Sequence, residues 1–202
     1  MVSKRFSTRF SCYKTRQPLV FGTIFKYPKT IIMKINKVFL FYPPGPQYQR
    51  GEDRSQGNVD QSTATSMRAP NDMAYVSSQL DQKNIENIFT DYASEDKTPD
   101  DLFNDFINFS PDVVITSTTT STIKDDLKII EQMKLKKNCI FIMKGSIFFK
   151  APSFLIDSLD LKNVDFLIGG EIEFAAANII DKINNNQNDF STIPGIFVKE
   201  GN

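Results

Sequence analysis

Histidine is absent from all 202 residues of this sequence. Its absence excludes the Ser-His-Asp triad, Cys-His nucleophiles, histidine-bound zinc and histidine-ligated haem. It also means that any metal bound by this chain receives no imidazole ligand from it.

Cysteine is scarce as well, since Cys12 and Cys139 are the only two and lie far apart. They make no Cys-x-x-Cys pair and cannot provide the set of thiolates that an iron–sulfur cluster needs. So few cysteines fit a reducing compartment, and we expect a cytoplasmic protein. No apolar run approaches the roughly 20 residues of a membrane-spanning helix, so we expect no membrane partner.

Acidic residues are missing from positions 1–32, which carry seven lysines and arginines. The other positions carry 17 basic and 24 acidic residues, so the net charge of zero hides an asymmetry. A neutral total gives no reason to expect a nucleic-acid partner. We expect residues 1–32 to be a disordered leader or translation from an early start codon, with a targeting peptide as the alternative. Residues 33–202 are expected to form one domain.

Short apolar runs alternate with segments of helical periodicity after Met33. KVFLFY (37–42) is a continuous apolar run typical of a buried strand, and four further segments predict strands: NIENIFTDY (84–92), PDVVITS (111–117), NCIFIM (138–143) and VDFLIG (164–169). The alternation predicts an α/β fold, an open, doubly wound (Rossmann- or flavodoxin-like), mainly parallel five-stranded sheet with helices on both faces.

Capping residues mark the starts of three helices. Asn71 precedes an amphipathic segment, and Thr98 precedes a proline and two acidic residues. Ser121 or Thr122 would cap a helix that begins at Ile123. The second helix has an inward apolar stripe in this interpretation: Leu102, Phe103, Phe106 and Ile107.

Ligands in such folds bind beyond the carboxyl ends of the strands, near the topological switch point. Four loops follow the strands there: loop one (43–56, PPGPQYQRGEDRSQ), loop three (116–122, TSTTTST), loop four (144–152, KGSIFFKAP) and loop five (169–173, GGEIE). Glycine allows close approach to a ligand, and hydroxyl groups bond to polar ligand atoms. Each loop also has a structural explanation, as a strand end, a helix cap or a tight turn.

Four segments, in this order, resemble the N-terminal cobalamin-binding domain of cobalamin-dependent radical S-adenosylmethionine enzymes. They are FYPPGPQYQRGEDRSQ, FSPDVVITSTTTSTIKDDLKII, VDFLIGGEIEF and IPGIFVKEGN. Departures occur at loop four, where Lys144, Gly145 and Ser146 stand in place of the family's Gly-Gly turn and histidine. Ile172 interrupts the Gly-Glu-Gly-Glu pattern, and Ser55 replaces a frequent cysteine.

The resemblance implies a cobalamin-binding module whose metal is the cofactor's own cobalt. The cofactor would be base-off, without a protein histidine ligand, and no iron–sulfur cluster is expected in this chain. The chain would not be an enzyme by itself but a non-catalytic fragment or subunit. Its partner would be a separate radical S-adenosylmethionine protein or a missing C-terminal radical domain.

The same resemblance implies a cofactor site at the carboxyl edge of the sheet and no catalytic residues in this chain. The expected site residues are Pro44, Tyr48, Arg50, Arg54, Thr118, Thr119, Gly145, Ser146, Gly169, Gly170 and Glu171. The alternative is a ligand-free remnant or protein-interaction domain of the same fold. A flavodoxin-like or nucleotide-binding protein is a further option, but neither G-x-G-x-x-G nor a P-loop motif is present.

Overall fold

A computed structural model describes residues 10–12, 33–45, 69–149 and 158–199. The strands are β1 (Phe10–Cys12), β2 (Lys37–Tyr42), β3 (Glu86–Asp91), β4 (Val113–Ser117), β5 (Ile140–Lys144), β6 (Phe166–Ile168) and β7 (Ile196–Lys199). The helices are α1 (Asn71–Gln82), α2 (Pro99–Phe109), α3 (Ile123–Lys136) and α4 (Ile172–Asn184), with a 3-10 turn at Ser146–Phe148. No helix among the described residues is long and apolar enough to cross a membrane.

The strands form one sheet in the order β1-β7-β6-β5-β4-β2-β3. Strands β2 to β6 are parallel, which confirms the predicted five-stranded parallel core. Two antiparallel strands extend it, because β7 pairs with β6 and β1 pairs with β7. Strand β1 belongs to residues 1–32, and the independent folding of residues 33–202 stays a prediction.

The strand order places the topological switch point between β2 and β4. From β2 the chain moves outward to β3, and every later parallel strand lies on the other side of β2. The carboxyl ends of β2 and β4 therefore flank the crevice in which doubly wound folds bind ligands.

Each face of the sheet carries its own apolar core. Successive side chains of a strand point to opposite faces, and helices cover both faces. One core joins Val38, Leu40, Ile115 and Ile142 to α1 and α4 through Met73, Val76, Ala176 and Ile180. The other joins Phe39, Phe41, Val114 and Phe141 to α2 and α3 through Leu102, Phe106, Ile130 and Met133. Helices on both faces confirm the predicted fold class.

Helix α2 begins as the sequence predicts. The hydroxyl oxygen of Thr98 accepts from the Asp101 N–H at 3.2 Å, and the Thr98 N–H donates to the Asp101 carboxylate at 2.8 Å. This reciprocal capping box satisfies two backbone donors at the helix start. Ile107 departs from the prediction, since 51% of it is exposed. It lies about 100° around the helix from the buried Phe106, beyond the edge of the apolar stripe.

Helix α1 begins one residue earlier than predicted. Its first backbone bond runs from the Ala74 N–H to the Pro70 carbonyl at 2.9 Å, so Pro70 occupies the cap position and Asn71 is already helical. The predicted cap at Asn71 is therefore wrong by one residue.

Candidate functional site

Loops three, four and five meet at the carboxyl edge of the sheet, which we call the rim. Three backbone N–H to C=O bonds join them to each other and to the turn before β7: Thr118 to Lys144 at 2.7 Å, Gly145 to Ile168 at 3.0 Å and Gly169 to Gly195 at 2.9 Å. Three of the four loops that the sequence singled out, loops three, four and five, are therefore joined in one layer in their described parts. Pro44, half-buried at the end of β2, lies on the other side of the switch point.

The expected site residues do not all share the buried surroundings of Thr118 and Thr119. Ser146 and Glu171 are exposed, and Glu171 occupies the cap position of α4 without a capping side-chain bond. Tyr48, Arg50 and Arg54 lie outside the described residues. The role of all these residues in cofactor binding stays a prediction.

The glycines of loops four and five do not share one role. A Cβ atom on Gly145 would lie 2.9 Å from the Thr118 Cγ2, and one on Gly169 would lie 2.7 Å from the Phe148 carbonyl group. These two positions exclude a side chain because protein atoms already touch them. At Gly170 the nearest atom to a Cβ would be 3.6 Å away, an ordinary contact. Of the three glycines, Gly170 alone could carry a methyl group without displacing a neighbouring atom.

Loop three is held by a buried carboxylate that the sequence analysis missed. The hydroxyl groups of Thr118 and Thr122 both donate to the same oxygen of Asp126, at 2.6 and 2.7 Å. Thr118 is 2% exposed and Asp126 is 4% exposed. Asp126 follows Thr122 by four residues, a spacing that places side chains on one helical face and could have signalled the contact.

The hydroxyl bonds of loop three run in one direction. Because Thr122 donates to Asp126, the 3.1 Å contact between the hydroxyls of Thr119 and Thr122 must have Thr119 as donor. The hydroxyl of Ser121, 3.0 Å from that of Thr119, is then the donor to it. The hydroxyl protons therefore point inward along this chain towards the carboxylate of Asp126.

The side chain of Thr122 takes part in this network instead of capping α3. Thr122 does occupy the cap position, as predicted, but its hydroxyl oxygen accepts from the Thr119 N–H at 3.2 Å. The predicted capping bond is therefore wrong, because loop three uses the hydroxyl for its own closure.

The last residues of four parallel strands form a polar row along the rim, on the face covered by α1. The strand register pairs Tyr42 with Asp91 and Ser117 with Lys144, and the pairing of Phe41 with Thr116 brings Tyr42 beside Ser117. Neighbouring residues in register point to the same face of a sheet. The row therefore crosses the switch point.

Asp72, in the first turn of α1, bridges this row. One carboxylate oxygen accepts from the hydroxyl of Tyr42 and from the Met73 N–H at 2.8 Å, and the other accepts from the Lys144 ammonium at 2.9 Å. The side chains of Asp72 and Lys144 are 19% and 24% exposed. Burial raises the pKa of Asp72, but Lys144, Tyr42 and the Met73 N–H outweigh it and hold the pKa below its usual 3.8.

The described residues contain no group of three or more histidine, cysteine or acidic side chains able to hold a metal ion. Burial also raises the pKa of the Cys139 thiol to about 12, although nearby lysines oppose the shift. A thiol with this pKa is protonated at neutral pH and is a poor metal ligand. In its described part, the rim therefore offers polar and charged contacts but no such group of metal-binding side chains.

Neither protein-family models nor curated proteins match this chain. Solved structures do match. One is the radical S-adenosylmethionine methyltransferase TsrM from Kitasatospora setae with cobalamin and a [4Fe-4S] cluster bound, at a TM-score of 0.56 and 14% identity. Another is the cobalamin-dependent S-adenosylmethionine radical enzyme OxsB with aqua-cobalamin and S-adenosylmethionine bound, at 0.55 and 13%.

The fold is that of a segment of these radical enzymes. The matches cover 81% and 80% of this chain but only 27% of the TsrM chain and 20% of the OxsB chain. At this identity the likeness is one of fold, and at that level it confirms the resemblance predicted from the sequence. The chain spans about a quarter of the length of the structures it matches.

Proposed function

We propose that this chain is a cobalamin-binding module of a radical S-adenosylmethionine methyltransferase type of system. The observation that carries the proposal is that four-fifths of the chain has the fold of a segment of enzymes solved with cobalamin. The rim adds support, because the loops expected to contact the cofactor converge there.

The residues of the rim fit a large amide-bearing cofactor. Gly170 has room for a methyl group in ordinary contact with Gly195, and the partly exposed side chain of Lys144 supplies a charged donor. Cobalamin supplies a cobalt centre for group transfer, and the chain's own part is to hold and orient it. The family resemblance implies base-off binding, and because the sequence has no histidine, cobalt would then receive no imidazole ligand from this chain.

The module would not catalyse the radical step alone. Cys12 and Cys139 are too few for a cluster, and the high pKa of Cys139 keeps its thiol protonated. We therefore expect the cluster and S-adenosylmethionine chemistry to come from another chain or domain. Reconstitution with iron, sulfide and S-adenosylmethionine tests this, and formation of 5′-deoxyadenosine by this chain alone would contradict it.

The visible spectrum of the protein tests cobalamin binding directly. The protein is incubated with excess hydroxocobalamin, desalted and compared with free hydroxocobalamin, and we expect a retained base-off spectrum. A protein that leaves the column colourless would overturn the proposal.

A ligand-free remnant or interaction domain is the second candidate. The burial of Thr118 and the commitment of its hydroxyl to Asp126 favour it, because that hydroxyl has a structural role without a ligand. The same desalting experiment separates the two candidates.

A further inference from the structure

Lys144 is the only cationic residue in the described parts of loops three, four and five. It ends β5 and stands beside Ser117 at the end of β4, one strand from the switch point. A cation at the carboxyl ends of parallel strands lies where ligands of doubly wound folds approach.

Asp72 fixes the direction of the Lys144 ammonium group. The carboxylate is itself held by the Tyr42 hydroxyl and the Met73 N–H, so it cannot follow a mobile lysine. Tyr42 and Lys144 lie on strands separated by β4, and the bridge therefore spans the end of that strand. An ammonium group has three N–H donors, and this contact uses one of them.

The remaining donors of Lys144 suit an anion. The Lys144 side chain is 24% exposed, so part of it reaches the surface of the rim. Loop three is a poor alternative, because its hydroxyl protons are directed towards Asp126. Loop five supplies no cation for an anion, and its residues 169–173 include Glu171 and Glu173.

We propose that Lys144 is the anion-binding residue of the rim and receives the phosphodiester of the nucleotide loop of bound cobalamin, with Asp72 as its positioning residue. This inference rests on the proposed function. The phosphodiester is the anionic group of cobalamin, and its oxygens accept charge-assisted hydrogen bonds from ammonium groups. The amide groups of the corrin ring would then contact the uncharged residues around Gly170 and in loop three.

Two corrinoid probes separate the nucleotide loop, which contains the phosphodiester, from the corrin ring. Hydroxocobalamin carries the nucleotide loop, and cobinamide has the same corrin ring without it. Dissociation constants for both are measured by absorbance titration for the wild type, Lys144→Gln and the exposed control Lys128→Gln. Lys128 lies on α3 with 71% of its side chain exposed, and it pairs with Asp125.

We expect Lys144→Gln to weaken hydroxocobalamin binding by about tenfold to a hundredfold, the loss of one hydrogen bond between charged groups. Its affinity for cobinamide should stay at the wild-type value, and Lys128→Gln should change neither. Because Lys144→Gln leaves Asp72 without its counter-ion, the double variant Asp72→Asn/Lys144→Gln is measured beside it. An unchanged preference for hydroxocobalamin in both variants would overturn the inference while leaving cobalamin binding intact.

A second experiment tests the anion site if the proposed function is wrong. If the wild type binds neither corrinoid, inorganic phosphate is titrated into labelled protein while the amide resonances of Ser117 and Gly145 are followed. Shifts that disappear in Lys144→Gln support an anion site without cobalamin. Absence of shifts in the wild type would overturn the anion site as well.

Discussion

Two adjacent glycines at the rim should respond in opposite ways to the same substitution. In Gly169→Ala the new methyl group would lie 2.7 Å from the carbonyl carbon and oxygen of Phe148. An ordinary contact begins at 3.4 Å, so loop four must move by about 0.7 Å, and its nearest atoms are backbone atoms that cannot rotate away. Overpacking of this kind costs about 1–3 kcal/mol. In Gly170→Ala the nearest contact is 3.6 Å, which needs no movement.

The expected difference between the two variants is measurable by thermal unfolding. Gly170→Ala should be neutral or raise stability by up to about 1 kcal/mol, since alanine lowers the entropy of the unfolded chain. For a domain of this size each kcal/mol shifts Tm by about 2–4 °C, so Gly169→Ala should lower Tm by about 2–12 °C while Gly170→Ala does not lower it. Urea unfolding gives an independent value. Equal losses in both variants would refute the packing of Phe148 over Gly169.

Four other perturbations test separate parts of the structure. Asp72→Asn should lose about 1–3 kcal/mol at pH 7 in urea unfolding. The pKa of Asp72 lies below 3.8 in the folded state, so its contribution is present above that pH and the gap to the wild type should close as the pH falls further; a gap that persists in acid would contradict the ion pair. Asp126→Ala should cost about 1–3 kcal/mol, because it leaves the buried hydroxyl of Thr118 without its acceptor, and wild-type stability would exclude this role. Gly170→Leu should weaken hydroxocobalamin binding at least about tenfold by filling the space beside loop five, and unchanged affinity would move the site elsewhere. Deletion of residues 1–32 should leave a cooperative thermal transition, whose loss would make this segment part of the domain.

Local patterns in the sequence were sufficient for the elements that depend on neighbouring residues. The start of α2 was predicted from Thr98 and the proline and acidic residues after it, and in the structure Asp101, three positions on, closes a capping box with Thr98. Strands β2, β4, β5 and β6 are largely continuous apolar runs because both faces of the sheet are covered. Strand β3, at the end of the strand order, mixes polar and apolar residues and is only partly buried. Ile107 shows the limit of this reasoning, since periodicity gives the centre of an apolar stripe more reliably than its edges.

The contacts that define the rim depend on residues far apart in the chain. Asp72 precedes Lys144 by 72 positions and follows Tyr42 by 30, so no local pattern connects them. The chemistry of loop three was visible as a run of hydroxyl residues, but its direction was not. That direction follows from Asp126, whose buried carboxylate accepts hydrogen bonds from the hydroxyl groups of Thr118 and Thr122.

The direction of β7 determines how this protein can be attached to a surface. The strand starts beside the rim, where Ile196 pairs with Ile168, and ends where the Lys199 N–H bonds to the Asp165 carbonyl at 3.0 Å, before β6 begins. Four residues of strand advance roughly 13 Å, so Lys199 lies at the edge of the sheet opposite the rim. A tether placed behind Lys199 would hold the molecule with its loops facing outward. Immobilised in that orientation, the protein would keep the rim accessible to large soluble molecules.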